Sequence, residues 1–220
     1  LGEAWRAYRF HARFNLFGLL NVTALREALN ALVARHEILR TAFLHRSGQL
    51  FRTVATHIEV KLPYFDLSHL PHEQQQHELT SRLADELSAG FDVTQAPLVR
   101  WRLIKLSSNK HVLFQSEHHN LHDGQSFRIL VRDLALLYSA KCRGDAVVLP
   151  LIQAQYGEYC HKEREWLRSA QYRHQLQEWE NRLSGFTEHL RLFTDLKQGA
   201  ESRFLGEQVR VQIPAQLFKR

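Results

Sequence analysis

The sequence predicts a mixed α/β fold of the α+β type, in which a mixed sheet is flanked by helices. Short apolar runs occur in pairs separated by turn residues, and between them lie amphipathic segments with helical spacing. No internal repeat is visible. The chain has 220 residues, of which 44% are hydrophobic and 24% charged. This composition is ordinary for a globular protein, and a chain of this length can bury a core without disulfides.

The first elements predicted are a strand and a helix. Residues 14–20 are mostly apolar and indicate a strand. Asn21 suits the N-cap of the next helix, because its side-chain oxygen can accept a hydrogen bond from a free backbone N–H. The helix is predicted to reach about Arg35. Apolar residues recur at helical spacing at Leu25, Leu29, Leu32 and Val33.

Two hairpins are predicted from pairs of apolar runs. The first joins residues 41–45 to residues 49–54 through a Ser-Gly turn. The second joins residues 98–106 to residues 111–117 through a Ser-Ser-Asn turn. The second hairpin matters more for function, because a histidine-rich stretch follows directly from its end.

The remaining segments are assigned by the period of their apolar residues. Alternation predicts strands, and apolar residues three or four positions apart predict helices. The predicted strands are 57–62 and 208–213, and the predicted helices are 71–89, 126–140, 153–166 and 171–183.

Charge and cysteine content narrow the classes of partner and compartment. The formal net charge is +6, but basic and acidic residues are interspersed. This favours an acidic protein partner over nucleic acid, although a solvated basic surface explains the charge equally well. Cys142 and Cys160 lack the paired spacing of a disulfide framework, so a cytoplasmic location is expected.

Targeting and membrane segments are not expected. No apolar run approaches the roughly 20 residues of a membrane span, and the first residues show no signal-peptide pattern. The chain begins with Leu1 and contains no methionine. We therefore expect it to be a piece of a longer polypeptide.

The stretch from Glu117 to Gly124, Glu-His-His-Asn-Leu-His-Asp-Gly, is the candidate functional site. It places three histidines, an aspartate and a glycine between a predicted strand and a predicted helix. His118 and His122 lie four positions apart beside Asp123, so a zinc site is one interpretation. Such spacing aligns two imidazoles only on a helix, and the end of a strand is the wrong geometry. We therefore expect no metal.

Two other chemistries and one structural explanation remain. A nucleophilic triad would use Ser126, but the sequence lacks a Gly-x-Ser-x-Gly elbow and neither cysteine is close. A lone histidine base, with an ordinary pKa of about 6.5, could accept a proton from an amine or hydroxyl attacking an acyl carbon. A surface turn that merely tolerates histidine fits the composition equally well.

The stretch from His118 to Gly124 resembles the HHxxxDG signature of nonribosomal peptide synthetase condensation domains. Related CoA-dependent acyltransferases share an HxxxD core, so the flanking segments add specificity. Residues 35–43 (Arg-His-Glu-Ile-Leu-Arg-Thr-Ala-Phe) are similar to the family's RHExLRTxF segment, and residues 91–98 to its FDxxxxPL segment. Residues 149–179 resemble its LPxxxxQYxDY region with the following tryptophans. The resemblance covers nearly the whole chain.

The resemblance implies a chloramphenicol-acetyltransferase-like lobe, one of two that form a V. Residues 1–220 would be the N-terminal lobe, with the crossover to the missing C-terminal lobe starting at about 186–220. The implied reaction is amide formation, in which an aminoacyl group on one carrier protein attacks a thioester on another. No cofactor would bind directly, because substrates arrive on 4'-phosphopantetheine arms. The implied partners are carrier proteins, the missing lobe and adjacent synthetase domains, with neither nucleic acid nor membrane.

The resemblance also implies roles for individual residues. The implied catalytic positions are His118, His119, Asp123 and Gly124. His119 matches the position that acts as a base or positions the attacking amine. Asp123 matches a carboxylate that forms a structural salt bridge with an arginine, for which Arg35 and Arg40 are the candidates. Gly124 lies where the pantetheine arm and the reacting carbonyl would pass.

Departures from the family pattern leave alternatives open. Residues 126–130 (Ser-Phe-Arg-Ile-Leu) also resemble epimerization-type relatives, whereas residues 35–41 favour condensation. His118 disfavours heterocyclization, in which this position is Asp. Residues 192–197 replace a proline-rich run, and the usual N-terminal Ser-x-x-Gln motif is absent. A hydroxyl-accepting acyltransferase and a catalytically incomplete carrier-binding lobe remain further alternatives.

Overall fold

The fold is a mixed sheet with helices on both faces, which confirms the predicted class. The computed structural model describes residues 7–186, 209 and 211–218. The strands are β1 (Arg9–Phe17), β2 (Thr41–Arg46), β3 (Gln49–Val54), β4 (Tyr64–Asp66), β5 (Val99–Ser107) and β6 (Lys110–His118). The helices are α1 (Val22–Arg35), α2 (His72–Ser88), α3 (Gly124–Arg143), α4 (Tyr156–Leu167), α5 (Ala170–Leu183) and α6 (Ala215–Phe218). A short 3-10 helix, Glu37–Arg40, joins α1 to β2.

The main sheet has the strand order β1-β6-β5-β4. The β5–β6 and β1–β6 pairs are antiparallel, and β4 pairs with β5 in parallel. The β5–β6 hairpin is therefore confirmed, and so is the separate β2–β3 hairpin. Because β6 lies between two partners, its end, where the histidine-rich stretch begins, is held on both sides.

Two apolar clusters fill the two faces of the sheet. The larger cluster joins α1 and α3 to one face, and Leu113 of β6 belongs to it. The smaller cluster joins α2 to the other face through Leu79 of α2 and Val112 of β6. Successive residues of a strand point to opposite faces, so β6 contributes apolar side chains to both layers.

Local signals account for the ends of the predicted helices and for the first hairpin turn. Asn21 caps α1 by accepting a hydrogen bond from the backbone N–H of Ala24, with a distance of 3.0 Å. Gly144 ends α3 in the left-handed conformation with a φ of 73°. The β2–β3 turn has a positive φ at both Ser47 and Gly48. This matches the turn geometry that suits the twist of two-residue hairpins.

Two strand predictions in the first third of the chain need correction. The strand predicted at 14–20 instead spans Arg9–Phe17, because polar and apolar residues already alternate from Arg9 and Gly18 turns the chain with a φ of 98°. Residues 57–62 form no strand. Val60 is buried there, but its backbone N–H donates to the side-chain oxygen of Asn30 and to no neighbouring strand. β4 was not predicted, because three residues are too few for a pattern.

The last part of the chain is described only in part. The strand predicted at 208–213 does not form at residues 209 and 211–213, and residues 208 and 210 lie outside the described residues. Residues 192–197 and most of the predicted crossover also lie outside them. In the described residues, no helix has the length and apolar content needed to cross a membrane.

Candidate active site

The candidate active site is the turn that joins β6 to α3. His118 ends β6 and donates its backbone N–H to the carbonyl oxygen of Leu98, with a distance of 2.9 Å. His119 donates its backbone N–H to the carbonyl oxygen of Tyr8, with a distance of 2.7 Å. Leu121 is buried in the main core cluster. The turn is therefore held by hydrogen bonds from both sides and by an apolar anchor beneath it.

His119 presents its side chain at the surface of the lobe. The residue is exposed. Its ring stacks on the ring of His122, with centroids 5.4 Å apart and planes 16° apart. The edge of Phe10 contacts it at 6.1 Å. An oriented and accessible imidazole is the arrangement that proton transfer to or from a substrate requires.

His118 is half-buried and is used within the turn. Its ring stacks on Tyr8 with an interplanar angle of 4°, and its Nδ1 accepts a hydrogen bond from the backbone N–H of Asn120, with a distance of 3.3 Å. Burial lowers the pKa of His118, and the nearby His119 lowers it further. The neutral ring therefore fits a structural role beside the exposed histidine.

Asp123 caps the N-terminus of α3. Its Oδ1 accepts hydrogen bonds from the backbone N–H of Ser126, at 2.8 Å, and from the Ser126 hydroxyl, at 2.5 Å. These bonds hold the pKa of Asp123 below its usual value. The carboxylate also lies at the positive end of the α3 dipole. Asp123 thus fixes the direction in which the chain leaves the turn.

The predicted salt bridge between Asp123 and Arg35 or Arg40 is wrong. Arg35 donates from Nε to Asp133 of α3, with a distance of 3.0 Å. Arg40 donates to backbone carbonyl oxygens, including that of Val33 at 3.1 Å. The reason is distance along the helix, because ten residues of α-helix separate the two aspartates by about 15 Å. Only Asp133 lies opposite the end of α1.

Gly124 is the first residue of α3 and lies in open space. A Cβ added there would meet no described atom within 4 Å. Its backbone is not in the left-handed region that favours glycine. The described part of the fold therefore gives no steric reason for a glycine at this position.

A buried polar chain under the turn was missed by the sequence analysis. Trp101 Nε1 donates to Gln115 Oε1, at 2.8 Å, and Gln115 Nε2 donates to Glu117 Oε2, also at 2.8 Å. Glu117 Oε1 lies against Nδ1 of His122. The available signal was a glutamate in an otherwise apolar strand, but the sequence did not show which residue would face it.

An apolar cavity of about 470 Å³ lies between β1, α1 and α3. Phe14 and Phe127 form the part of its wall nearest the turn, and Gln115 and Tyr138 are among its few polar lining residues. The volume is within the range of small-molecule pockets, so the cavity could accept an apolar group. Separately, the described residues include no group of three or more His, Cys, Asp or Glu side chains placed to hold a metal ion.

Sequence comparison identifies relatives over the whole chain. The family described as "Condensation domain" matches residues 1–220. Malpinin synthetase of Mortierella alpina is 32% identical over 219 residues, which are 100% of this chain and 3% of that protein. Surfactin synthase subunit 1 of Bacillus subtilis (strain 168) is 31% identical over 215 residues, which are 98% of this chain and 6% of that protein. The chain thus spans a small fraction of these relatives.

Solved structures show the same fold. SgcC5 from Streptomyces globisporus is 30% identical with a TM-score of 0.68, and the match covers 81% of this chain and 40% of that one. The starter condensation domain of rhizomide synthetase RzmA is 19% identical with a TM-score of 0.75, covering 83% and 44%. The second likeness supports the fold alone. Together with the match over residues 1–220, the relatives at 32% and 31% identity show that this chain belongs to the condensation-domain family.

Proposed function

We propose that this chain is the N-terminal lobe of an amide-forming condensation domain of a nonribosomal peptide synthetase. The donor is an acyl or aminoacyl thioester on one carrier protein, and the acceptor is an aminoacyl group on a second carrier. Both substrates arrive on 4'-phosphopantetheine arms, so the chemistry needs no other cofactor. The observation that carries the proposal is the exposed, oriented ring of His119 at the end of β6 in a member of this family.

The proposed reaction uses His119 for the proton of the attacking amine. The acceptor nitrogen attacks the thioester carbonyl, the C–N bond forms, and the C–S bond breaks. His119 accepts the proton that the nitrogen loses, and the leaving thiolate takes up a proton to become a thiol, so atoms and charges balance. His118 supports this step indirectly, because its half-buried ring holds the turn.

Asp123 and Gly124 have separate proposed roles. Asp123 fixes the start of α3 through its two hydrogen bonds from Ser126, which keeps the turn in one conformation. Gly124 leaves space for the pantetheine arm and the reacting carbonyl. The open space around the position of its missing side chain supports this role.

A second lobe is proposed to complete the site. The chain covers 40% of the SgcC5 chain and 46% of the chain in the complex of the X-domain and OxyB from teicoplanin biosynthesis. We therefore assign residues 1–220 to one lobe, with the crossover beginning at about 186–220. Exposed aromatic and aliphatic side chains on and after α4 and α5 are available for contact with the second lobe or an adjacent domain. They include Tyr159, Trp166, Trp179, Leu183 and Phe186.

The deciding experiment replaces His119 with Ala in a protein that carries both lobes. One carrier is loaded with a donor and another with an acceptor, and carrier-bound dipeptide is measured by mass spectrometry. We expect product formation to fall by about 100-fold or more. His45→Ala is the matched control, because His45 is also exposed but lies on β2. Unchanged product with His119→Ala would reject the assigned role.

A second candidate is a carrier-binding lobe that does not turn over by itself. The net charge of +6 favours it, because carriers with an acidic surface would be attracted. Titration of the 220-residue chain with a carrier at low and high salt tests this function. Binding that weakens with salt and gives no product would support it, and absence of binding at low salt would reject it.

The same assay separates the related reactions. An amine acceptor and an alcohol acceptor offered in parallel distinguish condensation from a hydroxyl-accepting acyltransferase. Chiral analysis of the donor in the absence of acceptor detects an epimerization-type activity. We also propose a cytoplasmic location, which the free thiols of Cys142 and Cys160 support.

A further inference from the structure

Glu117 is a carboxylate buried where an apolar residue would be expected. Its side chain has no exposed surface, and that of its neighbour His122 is 3% exposed. Burying a polar pair costs free energy unless each member finds a partner. Glu117 has Gln115 on one carboxylate oxygen and His122 on the other, and Gln115 in turn is held by Trp101. The pair is therefore built into the centre of the lobe, directly beneath the turn.

The His122 ring is enclosed on every described side. Phe10 of β1 contacts it edge-on with centroids 4.6 Å apart, and Phe127 of α3 lies at 5.1 Å. The His119 ring stacks on it at 5.4 Å. With Nδ1 against Glu117, the ring has one orientation. The exposed His119 ring takes its plane from this stack and from the edge of Phe10.

The protonation of the pair follows from its burial. Burial raises the pKa of Glu117 to about 7, and the hydrogen bond from Gln115 opposes this only in part. Burial lowers the pKa of His122, and His119 lowers it further while Asp123 acts in the opposite direction. Both main shifts favour neutral groups. Below pH 7 the protonated Glu117 therefore donates to Nδ1 of His122, and the ring carries its hydrogen on Nε2.

Loss of one proton changes this arrangement. Above about pH 7 the Glu117 carboxylate accepts a hydrogen bond from Nδ1–H, and Nε2 of His122 becomes the unprotonated nitrogen. The groups facing the pair do not replace this proton. β1 presents Phe10, β5 places Val99 opposite Glu117, and α3 presents Phe127. The titratable neighbours are His119 and Asp123 of the turn.

We propose that the buried Glu117–His122 pair is a positioning element for His119. Glu117 holds the His122 ring in one tautomer and one orientation, and the His122 ring in turn sets the plane in which His119 meets the attacking amine. This inference rests on the proposed function of His119. It assigns a role to two residues of the stretch that the HHxxxDG signature leaves unspecified.

The experiment uses the protein with both lobes, loaded carriers and two replacements of Glu117. Glu117→Gln can still donate to Nδ1 of His122 but cannot ionise, whereas Glu117→Leu leaves Nδ1 without a partner. We expect Glu117→Leu to lower kcat by about tenfold or more at unchanged KM, because the reacting ring loses its orientation. Glu117→Gln should restore the kcat of the unmodified protein at pH 6. His111→Phe is the control, because it replaces another buried histidine of β6 at the far end of the strand.

A second measurement does not depend on turnover. Nitrogen NMR of ¹⁵N-histidine-labelled protein reports the tautomer of His122, and His122→Phe identifies its signals. The Nδ1 and Nε2 shifts should exchange character with a midpoint near pH 7, and Glu117→Gln should abolish the exchange. If Glu117→Leu fails to fold, Glu117→Gln and this titration still decide the outcome.

The results separate this inference from the proposed function. Full loss of product with His119→Ala together with unchanged kcat in folded Glu117→Leu would overturn the positioning role alone. A constant His122 tautomer from pH 5.5 to 8.5, or loss of kcat in Glu117→Gln at pH 6, would also overturn it. Unchanged product with His119→Ala would instead overturn the proposed function, and the tautomer titration would still report on the Glu117–His122 pair.

Discussion

Arg35 at the end of α1 donates from Nε to the buried carboxylate of Asp133 on α3, with a distance of 3.0 Å. The same carboxylate contacts His36 Nε2 at 3.0 Å and Arg132 Nη2 at 2.7 Å. Burial acts to raise the pKa of Asp133, but the hydrogen bonds from Arg132, His36 and Arg35 lower it overall. Asp133 therefore joins α1 to α3, the two helices that cover one face of the sheet beneath the active site.

Replacement of Asp133 by Asn should destabilise the fold. The substitution leaves Arg35 and His36 without their shared anion, and we expect the free energy of unfolding to fall by about 2–4 kcal/mol. Urea unfolding measures this loss. Asp145→Asn is the control, because the Arg143–Asp145 pair is exposed and should contribute little. Equal midpoints for the two variants would contradict the prediction.

Glu86 should make stability depend on acid pH. It is buried on α2 and accepts hydrogen bonds from Ser116 Oγ and Arg100 Nε, both at 2.6 Å, and from Arg102 Nε at 2.5 Å. Burial opposes these partners, yet the pKa of Glu86 is lowered overall. Its contribution is therefore present above the unfolded-state pKa of about 4.3 and is lost as pH falls below it.

The test for this prediction is Glu86→Gln. At pH 7 the variant should lose about 3 kcal/mol of unfolding free energy, and its difference from the unmodified protein should shrink as pH falls. Unfolding curves between pH 7 and pH 3 measure the difference. Glu78→Gln on the same helix, where Glu78 pairs with Arg82 at the surface, should show little change. A gap that widens toward low pH would show that the sign is wrong.

Asp123 should act as a helix cap and not as the partner of a buried arginine. Asp123→Asn keeps a capping oxygen and should preserve the melting temperature, whereas Asp123→Ala should lower it modestly. The loss for Asp123→Ala should be clearly smaller than the loss for Asp133→Asn. Thermal unfolding of the three variants checks this order. A collapse of the Asp123→Ala variant would instead point to a buried ion pair.

Gly124 should matter for turnover and not for stability. Gly124→Ala adds a methyl group in open space at the start of α3, so the melting temperature should stay the same or rise slightly. Product formation by the two-lobed protein should fall if the methyl group narrows the substrate passage. Gly144→Ala is the contrasting control, because its φ of 73° strains any other residue and should cost about 1 kcal/mol. Full activity of Gly124→Ala would argue against the proposed clearance.

The sequence by itself determined the helices, the two hairpins and the place of the active site. These features depend on local patterns, such as the leucine spacing of α1, the Asn21 cap and the Ser-Gly turn after β2. The HHxxxDG resemblance also depends on neighbouring residues, so it could be recognised without a fold. Where the local pattern was weak, as in three-residue β4 or the alternating but unpaired residues 57–62, the prediction failed.

Only the tertiary structure decided which charged and polar groups meet. Arg35 and Asp133 are 98 positions apart, and both Asp123 and Asp133 were compatible with a salt bridge until the direction of α3 was known. Glu117 and His122 are close in sequence, but their contact depends on the turn that brings His122 back under β6. The physical reason is that hydrogen bonds and ion pairs require distances of about 3 Å, which sequence spacing does not specify outside a regular element.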